Sequence, residues 1–256
     1  MPHLQPGSAP PASTPGGSAT DTAGTAEPGS VPSSDDPLTA VGPPGIRGAE
    51  AARLGSPRGG PPARAADSLL DDPAGWPAVP TAAGRFQLVP VQVGRDLTLI
   101  SSWMNDPAVA AFWELAGPEH VTERHLRPQV EGDGRSVPCL GVLDGTPVSY
   151  WELYRADLDP LARHCPVQTH DTGVHVLIGG GAERGRGLGT LLLRTVADLV
   201  LDGRPRCGRV LAEPDVRNVP SVAAFLGAGF RFGAEIELPA KRAALMVRDR
   251  ALRHVL

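Results

Sequence analysis

Leu188, Leu191, Leu192, Thr195, Val196, Leu199 and Val200 recur at i, i+3, i+4, i+7, i+8, i+11 and i+12, the spacing of one face of an α-helix. The stripe predicts a helix packed on that face and stopped at Gly203, since glycine is the usual residue to close a helix in the left-handed region. Elsewhere the apolar runs are shorter. Phe86 to Val93 predicts a strand that Pro90 restricts to an edge, and residues 96–115 predict two short helices broken at Asp106-Pro107. Residues 137–143 and 148–154 predict a hairpin whose turn is Asp144-Gly145, a pair that tolerates positive φ. Further strands are expected at 173–178, 209–213, 230–238 and 243–248, with a helix over about 220–227. Strands alternating with helices in this way predict an α/β fold, a mixed central sheet flanked by helices.

Composition divides the chain. Residues 1–80 carry 16 prolines, 12 glycines and only one of eleven aromatic residues, Trp76, so they cannot bury enough apolar area to offset their ordering entropy. A disordered Pro/Gly/Ala-rich tail is therefore expected at 1–80 and one folded domain at 81–256. Ser68-Leu69-Leu70 and Trp76 form the tail's one apolar patch, a contact it can offer the domain.

Charge divides likewise. The tail holds eight acidic and four basic residues, and residues 81–256 hold 20 of each sign, so the formal −4 belongs to the tail. A domain without net positive charge lacks the footprint that draws proteins to nucleic acid or anionic lipid. Cys139, Cys165 and Cys207 make no CxxC pair, and His164 and His170 make no ligand spacing, so no metal is expected. With neither a secretory signal nor a membrane span in view, the reading is a cytoplasmic protein with no membrane partner.

The segment Gly179 to Thr190 sits between a strand and the periodic helix. Backbone N–H groups without partners at the positive end of a helix, with glycines that admit a phosphate closely and two arginines, make a pyrophosphate cradle. A P-loop would need a lysine, and the Rossmann fingerprint a GxGxxG, whereas the spacing here is Gly185, Gly187, Gly189.

Arg184-Gly185-Arg186-Gly187-Leu188-Gly189 resembles the RxxGxG motif of the GNAT acetyltransferases, and Asn218 before a helix with Phe225 inside it and Gly229-Phe230 after it resembles their next segment. Trp103-Met104-Asn105 with Phe112-Trp113, the strand 150–154, the run 171–179, Glu213-Pro214-Asp215 and Leu238-Pro239-Ala240-Lys241 together resemble the lysine and N6-hydroxylysine acyltransferases of siderophore biosynthesis, of mycobactin and aerobactin type. The resemblance spans about residues 85–250 and implies a GNAT fold. It implies acetyl-CoA or another acyl-CoA bound by Arg184, Gly185, Arg186, Gly187, Leu188, Gly189 and Thr190, with Asn218 on the pantetheine arm. It also implies His175 and Asp215 as the catalytic pair. The acceptor would be a small diamine or N-hydroxylated amino acid, and an acyl carrier protein or siderophore synthetase a further partner.

The chemistry fits those types. A lysine amine near pKa 10.4 is protonated at neutral pH, a neutral imidazole near 6.5 can take its proton, and a carboxylate can orient the ring. Each residue also has a plainer reading: His175 as a core histidine and Asp215 as a helix cap. Trp103, Trp113 and Trp151 are either walls of a substrate pocket or core, and Glu152 is either a ligand for the acceptor's ammonium or part of a solvated strand face. Phe225 stands where many GNAT enzymes have a tyrosine that protonates the leaving thiolate, a task phenylalanine cannot do. Two alternatives stay open: an aminoglycoside 6′-N-acetyltransferase, and a non-catalytic module that binds acyl-CoA.

Overall fold

The computed structural model describes residues 69–180 and 187–254. Order begins before the boundary expected from composition. Pro73–Gly75 form a 3-10 turn and β1 (Val79–Thr81) a short strand, while Leu70 and Trp76 are buried in the main core. The residue that recruits this segment is Arg204, itself buried. Its guanidinium donates to the Leu69 carbonyl at 2.9 Å and to Asp71 Oδ2 at 3.0 Å, so residues 69–71 neutralise a charge that would otherwise lie unpaired in the interior. The expected tail therefore loses its last twelve residues to the domain, and its remainder, 1–68, lies outside the described residues.

Among the described residues, eight strands form one sheet in the order β1-β2-β3-β4-β5-β6-β8-β7. They are β1, β2 (Gly84–Pro90), β3 (Ser136–Leu143), β4 (Thr146–Arg155), β5 (Thr172–Ile178), β6 (Arg209–Ala212), β7 (Arg231–Glu237) and β8 (Arg242–Asp249). All neighbours are antiparallel except β5 and β6, which are joined through a crossover helix as parallel pairing requires. The hairpin turn falls where expected, with Asp144 and Gly145 both at positive φ. β1 covers only Gly84 to Phe86, so β2 is an edge from Gln87 to Pro90, as the proline requires.

The crossover helix α4 (Leu188–Gly203) and α5 (Val219–Gly227) cover one face, where they pack on Trp151, Leu153, Val174 and Val210. The other face meets α1 (Val93–Met104), α2 (Pro107–Trp113) and α3 (Glu119–Val130) through Leu140, Tyr150 and Leu177. The α4 stripe is wider than its heptad-like spacing implied, because Leu193, Ala197 and Leu201 are buried too. Its end at Gly203 has another cause than a left-handed cap: a Cβ there would come within 2.5 Å of the Trp76 indole, so the glycine makes room for the N-terminal segment. Helix α3 was not expected from the sequence, since it is mostly polar and contains Pro128.

One feature of the sheet positions the site. The parallel strands pair only at Thr172↔Val210 and Gly173↔Leu211, after which β5 runs on to Ile178 against β4 alone while β6 stops at Ala212. The gap that opens between them passes from one face of the sheet to the other.

Candidate active site

Side chains alternate along a strand, so Tyr150, Glu152 and Tyr154 share a face of β4, and the register sets Glu152 opposite His175 of β5. Imidazole Nδ1 of His175 lies 2.9 Å from Glu152 Oε2, and its Nε2 bonds Glu213 Oε1. The ring is thus held by two carboxylates, one from each side of the gap. Glu152 also accepts from the Tyr150 hydroxyl at 2.8 Å and from Gln129 Nε2 at 2.9 Å, and it bonds His125 Nε2. Glu213 accepts from the Tyr154 hydroxyl at 2.9 Å and has Lys241 Nζ at 4.0 Å. Gly173 makes this possible: a Cβ there would lie 2.0 Å from the Tyr154 ring, which instead lies over the glycine and beside His175, with ring centroids 4.9 Å apart.

These contacts set the charges. Burial by itself favours a neutral His175, but the charges of Glu213 and Glu152 and the hydrogen bonds to both outweigh it and hold its pKa up at about 10. For Glu152, burial opposes ionisation, and bonds from His125 and His175 more than reverse this, keeping the carboxyl well below its usual range. Glu213 is lowered in the same way, by the charge and hydrogen bond of His175 against its own burial. The neutral imidazole expected from the reference pKa is therefore replaced by an imidazolium between two carboxylates.

A cavity of about 280 Å³ threads the gap. On one side of the sheet it is bounded by Val176, Ala212, Asn218, Ser221 and Phe225, and on the other by Phe112, Trp113 and His125, with His175, Glu213, Asp215 and Lys241 around its waist. Of the three tryptophans considered, Trp113 lines it and lies nearly perpendicular to His175, with ring centroids 6.2 Å apart. Trp103 and Trp151 are core residues: Trp103 packs on Gly179, and Trp151 donates to Ser149 Oγ at 2.8 Å. Glu152 is buried, not on a solvated face. Asp215 shares the cavity but not the imidazole. Arg217 binds its carboxylate from Nε, Nη2 and the backbone N–H and, against some desolvation, holds its pKa down at about 2. The aspartate expected beside His175 thus has Glu213, two residues earlier, in that place. Asn218 caps α5, its Oδ1 accepting from Ser221 N at 3.2 Å, and faces the cavity from there.

At the glycine loop, Arg184, Gly185 and Arg186 lie outside the described residues. Gly187 is the N-cap of α4 at φ 80°, with no side-chain cap bond and open space where a Cβ would stand. The first-turn amides of Leu188, Gly189 and Thr190 follow at the positive end of the helix, an arrangement that fits an anionic diphosphate.

Several contributors escape the sequence reading: Glu213, Tyr150 and Tyr154 enter it only as parts of motifs, and His125 and Gln129 are not singled out. The last two come from α3, which is mostly polar; the i,i+4 ladder Glu123–Arg127–Glu131 was the available sign of a helix there.

A sheet parted beside a histidine-centred cavity, with a glycine-capped helix on the crossover between the parted strands, is the layout of a coenzyme-dependent acyltransferase. The acetyltransferase (GNAT) domain family matches residues 92–238, and the chain belongs to it. Among curated relatives, the lysine N-acyltransferase MbtK of Mycobacterium sp. (strain MCS) is 36% identical over 66% of this chain and 69% of its own. The N(6)-hydroxylysine O-acetyltransferase of Escherichia coli is 34% identical over 60% of this chain and 49% of its own. Among solved structures, an uncharacterized protein from Bacillus halodurans superposes with a TM-score of 0.63 at 30% identity, covering 67% of this chain and 87% of that one. The aminoglycoside acetyltransferase AAC(6′)-Ib with coenzyme A has the same fold, at a TM-score of 0.57 and 20% identity over 66% and 98%.

Proposed function

We propose that the chain transfers an acyl group from acetyl-CoA or another acyl-CoA to the terminal nitrogen of lysine, N6-hydroxylysine, ornithine or cadaverine, in the cytoplasmic assembly of a hydroxamate siderophore. The observation that carries this is the imidazole of His175, bonded on both ring nitrogens by Glu152 and Glu213 at the waist of a cavity that passes between parted strands. Relatives named as lysine, hydroxylysine and hydroxyornithine acyltransferases support the acceptor class, and one relative's name includes a coenzyme A thioester. The aminoglycoside alternative rests on structures at 20–22% identity and is the weaker reading.

In this reading the diphosphate lies at Gly187 to Thr190 and at Arg184 to Arg186, and the pantetheine arm runs past Asn218 to the gap. The acceptor nitrogen, as a neutral amine or hydroxylamine, forms a C–N bond at the thioester carbon, the C–S bond breaks, and one proton travels from nitrogen to sulfur; a lysine ammonium first sheds a further proton to solvent. Because His175 already holds a proton, it can supply the leaving thiolate that Phe225 cannot serve. The proton shed by nitrogen then reloads the Glu152–His175–Glu213 cluster. An ammonium entering beside these carboxylates also repels the imidazolium, which eases both losses. Asp215, ionised throughout the physiological range, orients the acceptor's cationic end from the same wall.

The test is release of free thiol from acetyl-CoA with N6-hydroxylysine, lysine and kanamycin offered in parallel. Turnover with the first two is expected. Turnover with kanamycin alone would reverse the assignment, and coenzyme binding with no turnover would favour the non-catalytic module.

A further inference from the structure

Glu152 serves two imidazoles, and it holds them differently. Its Oε2 meets Nδ1 of His175 at 2.9 Å, and its Oε1 bonds Nε2 of His125, which α3 carries over the sheet. His175 has a carboxylate at each ring nitrogen, so both nitrogens are kept protonated. His125 has a carboxylate at one nitrogen only. An ionised carboxylate accepts and cannot donate, so Nε2 of His125 carries the proton of that bond, and the lone pair of the neutral ring lies on Nδ1. Among the described residues nothing bonds that Nδ1. Gln129 beside it does not alter the tautomer: the Ser136 hydroxyl donates to its Oε1 at 2.7 Å, which turns its NH2 to donate to Glu152 at 2.9 Å.

The ring also stands where an acceptor must pass. His125 lines the strand-gap cavity beside Phe112 and Trp113, on the side of the sheet opposite Asn218 and Phe225. With the pantetheine arm on the Asn218 side, a nitrogen attacking the thioester in the gap arrives from the His125 side. Trp113 lies edge-on to both imidazoles, its centroid 6.4 Å from that of His125 and 6.2 Å from that of His175, so the two rings flank one space. The His125 side chain is 29% exposed there.

We propose that His125 is the general base of the transfer: its Nδ1 takes the proton that the acceptor nitrogen sheds as the C–N bond forms, while His175 gives its own proton to the sulfur as the C–S bond breaks. The proposal rests on the acyl-transfer reading and deepens it. Base and acid are separate imidazoles on the two oxygens of one carboxylate, so neither ring has to be charged and neutral at once. Glu152 orients the base and stabilises the imidazolium it becomes, as a carboxylate behind a histidine does. After transfer it stands between a charged His125 and a discharged His175, and the proton that restores the centre is already held within the cluster.

The experiment measures thiol release from acetyl-CoA with N6-hydroxylysine in the parent, in His125→Gln and in His125→Ala. Glutamine keeps an N–H for Glu152 and lacks a base; alanine removes both and leaves room for an added imidazole. Each variant should lose about a hundredfold in kcat, with coenzyme A affinity within about twofold of the parent. Added imidazoles of graded basicity should restore turnover of His125→Ala by at least about tenfold, saturably, and more strongly the more basic the imidazole. Parent-like turnover of His125→Gln would show that the ring only supports Glu152 and would overturn the assignment, and the glutamine variant decides this alone where the alanine one does not fold. A folded His125→Ala that no imidazole rescues would overturn it too. Both of those results leave the acyltransferase standing, because the parent turns over beside them; a parent that releases no thiol with any acceptor removes the acyl-transfer reading and this assignment together.

Discussion

His175 stands on β5 and Glu213 just past the end of β6, strands that pair at only two positions, yet the two side chains bond across the gap those strands leave. The contact ties the two lips of the cleft together where the fold itself does not. It also charges the imidazole, because Glu152 holds the other ring nitrogen at 2.9 Å.

Replacing His175 by Gln should lower kcat by about a hundredfold or more while leaving coenzyme affinity within about twofold, since the ring serves proton transfer and not the diphosphate. Single-turnover kinetics and a binding titration of coenzyme A check this. Parent-like turnover by the variant would remove the proposed acid.

A second expectation concerns pH. Reaction through a protonated His175 predicts that kcat/KM falls as pH rises through about 10, the pKa its two glutamates impose. Glu213→Gln removes one of them and should move that alkaline limb to lower pH, whereas Asp215→Asn should leave it in place and raise the acceptor KM. If both substitutions shift the limb alike, Asp215 and not Glu213 alone governs the ring.

The same shift bears on stability. His175 binds its proton more tightly when folded than at its unfolded value near 6.5, so its contribution is complete below about 6.5 and is lost as pH rises to about 10. The melting temperature should therefore decline across that window, and the decline should be shallower in His175→Gln. Differential scanning calorimetry at several pH values measures it.

The N-terminal segment gives a fourth expectation. Removing residues 1–80 should lower the melting temperature, relative to removing 1–68, by on the order of 10 °C, because it strips Leu70 and Trp76 from the core and leaves the buried Arg204 without Leu69 and Asp71. Identical melting of the two truncations would show that residues 69–80 add nothing to the fold.

Periodicity and turn chemistry determined much of the molecule. The α4 stripe, the break at Asp106-Pro107 and the Asp144-Gly145 hairpin are local signals, each carried by neighbouring residues, and all three are present at their expected places; the glycine loop ahead of α4 is as local a signal, and most of it lies outside the described residues. His175 stood out for the same reason, through its place just before that loop.

What the linear order could not decide was which groups meet. Glu213 and Asp215 are two residues apart, and on a continued strand both would face the same way. β6 ends at Ala212 and Pro214 turns the chain, so Glu213 swings to His175 while Asp215 folds onto Arg217. Likewise the proton affinity of His175, and the burial of Glu152 beneath donors from α3, depend on groups 23 to 38 residues away. Electrostatic surroundings are a property of distances in space, and only the packed sheet brings two carboxylates to one imidazole.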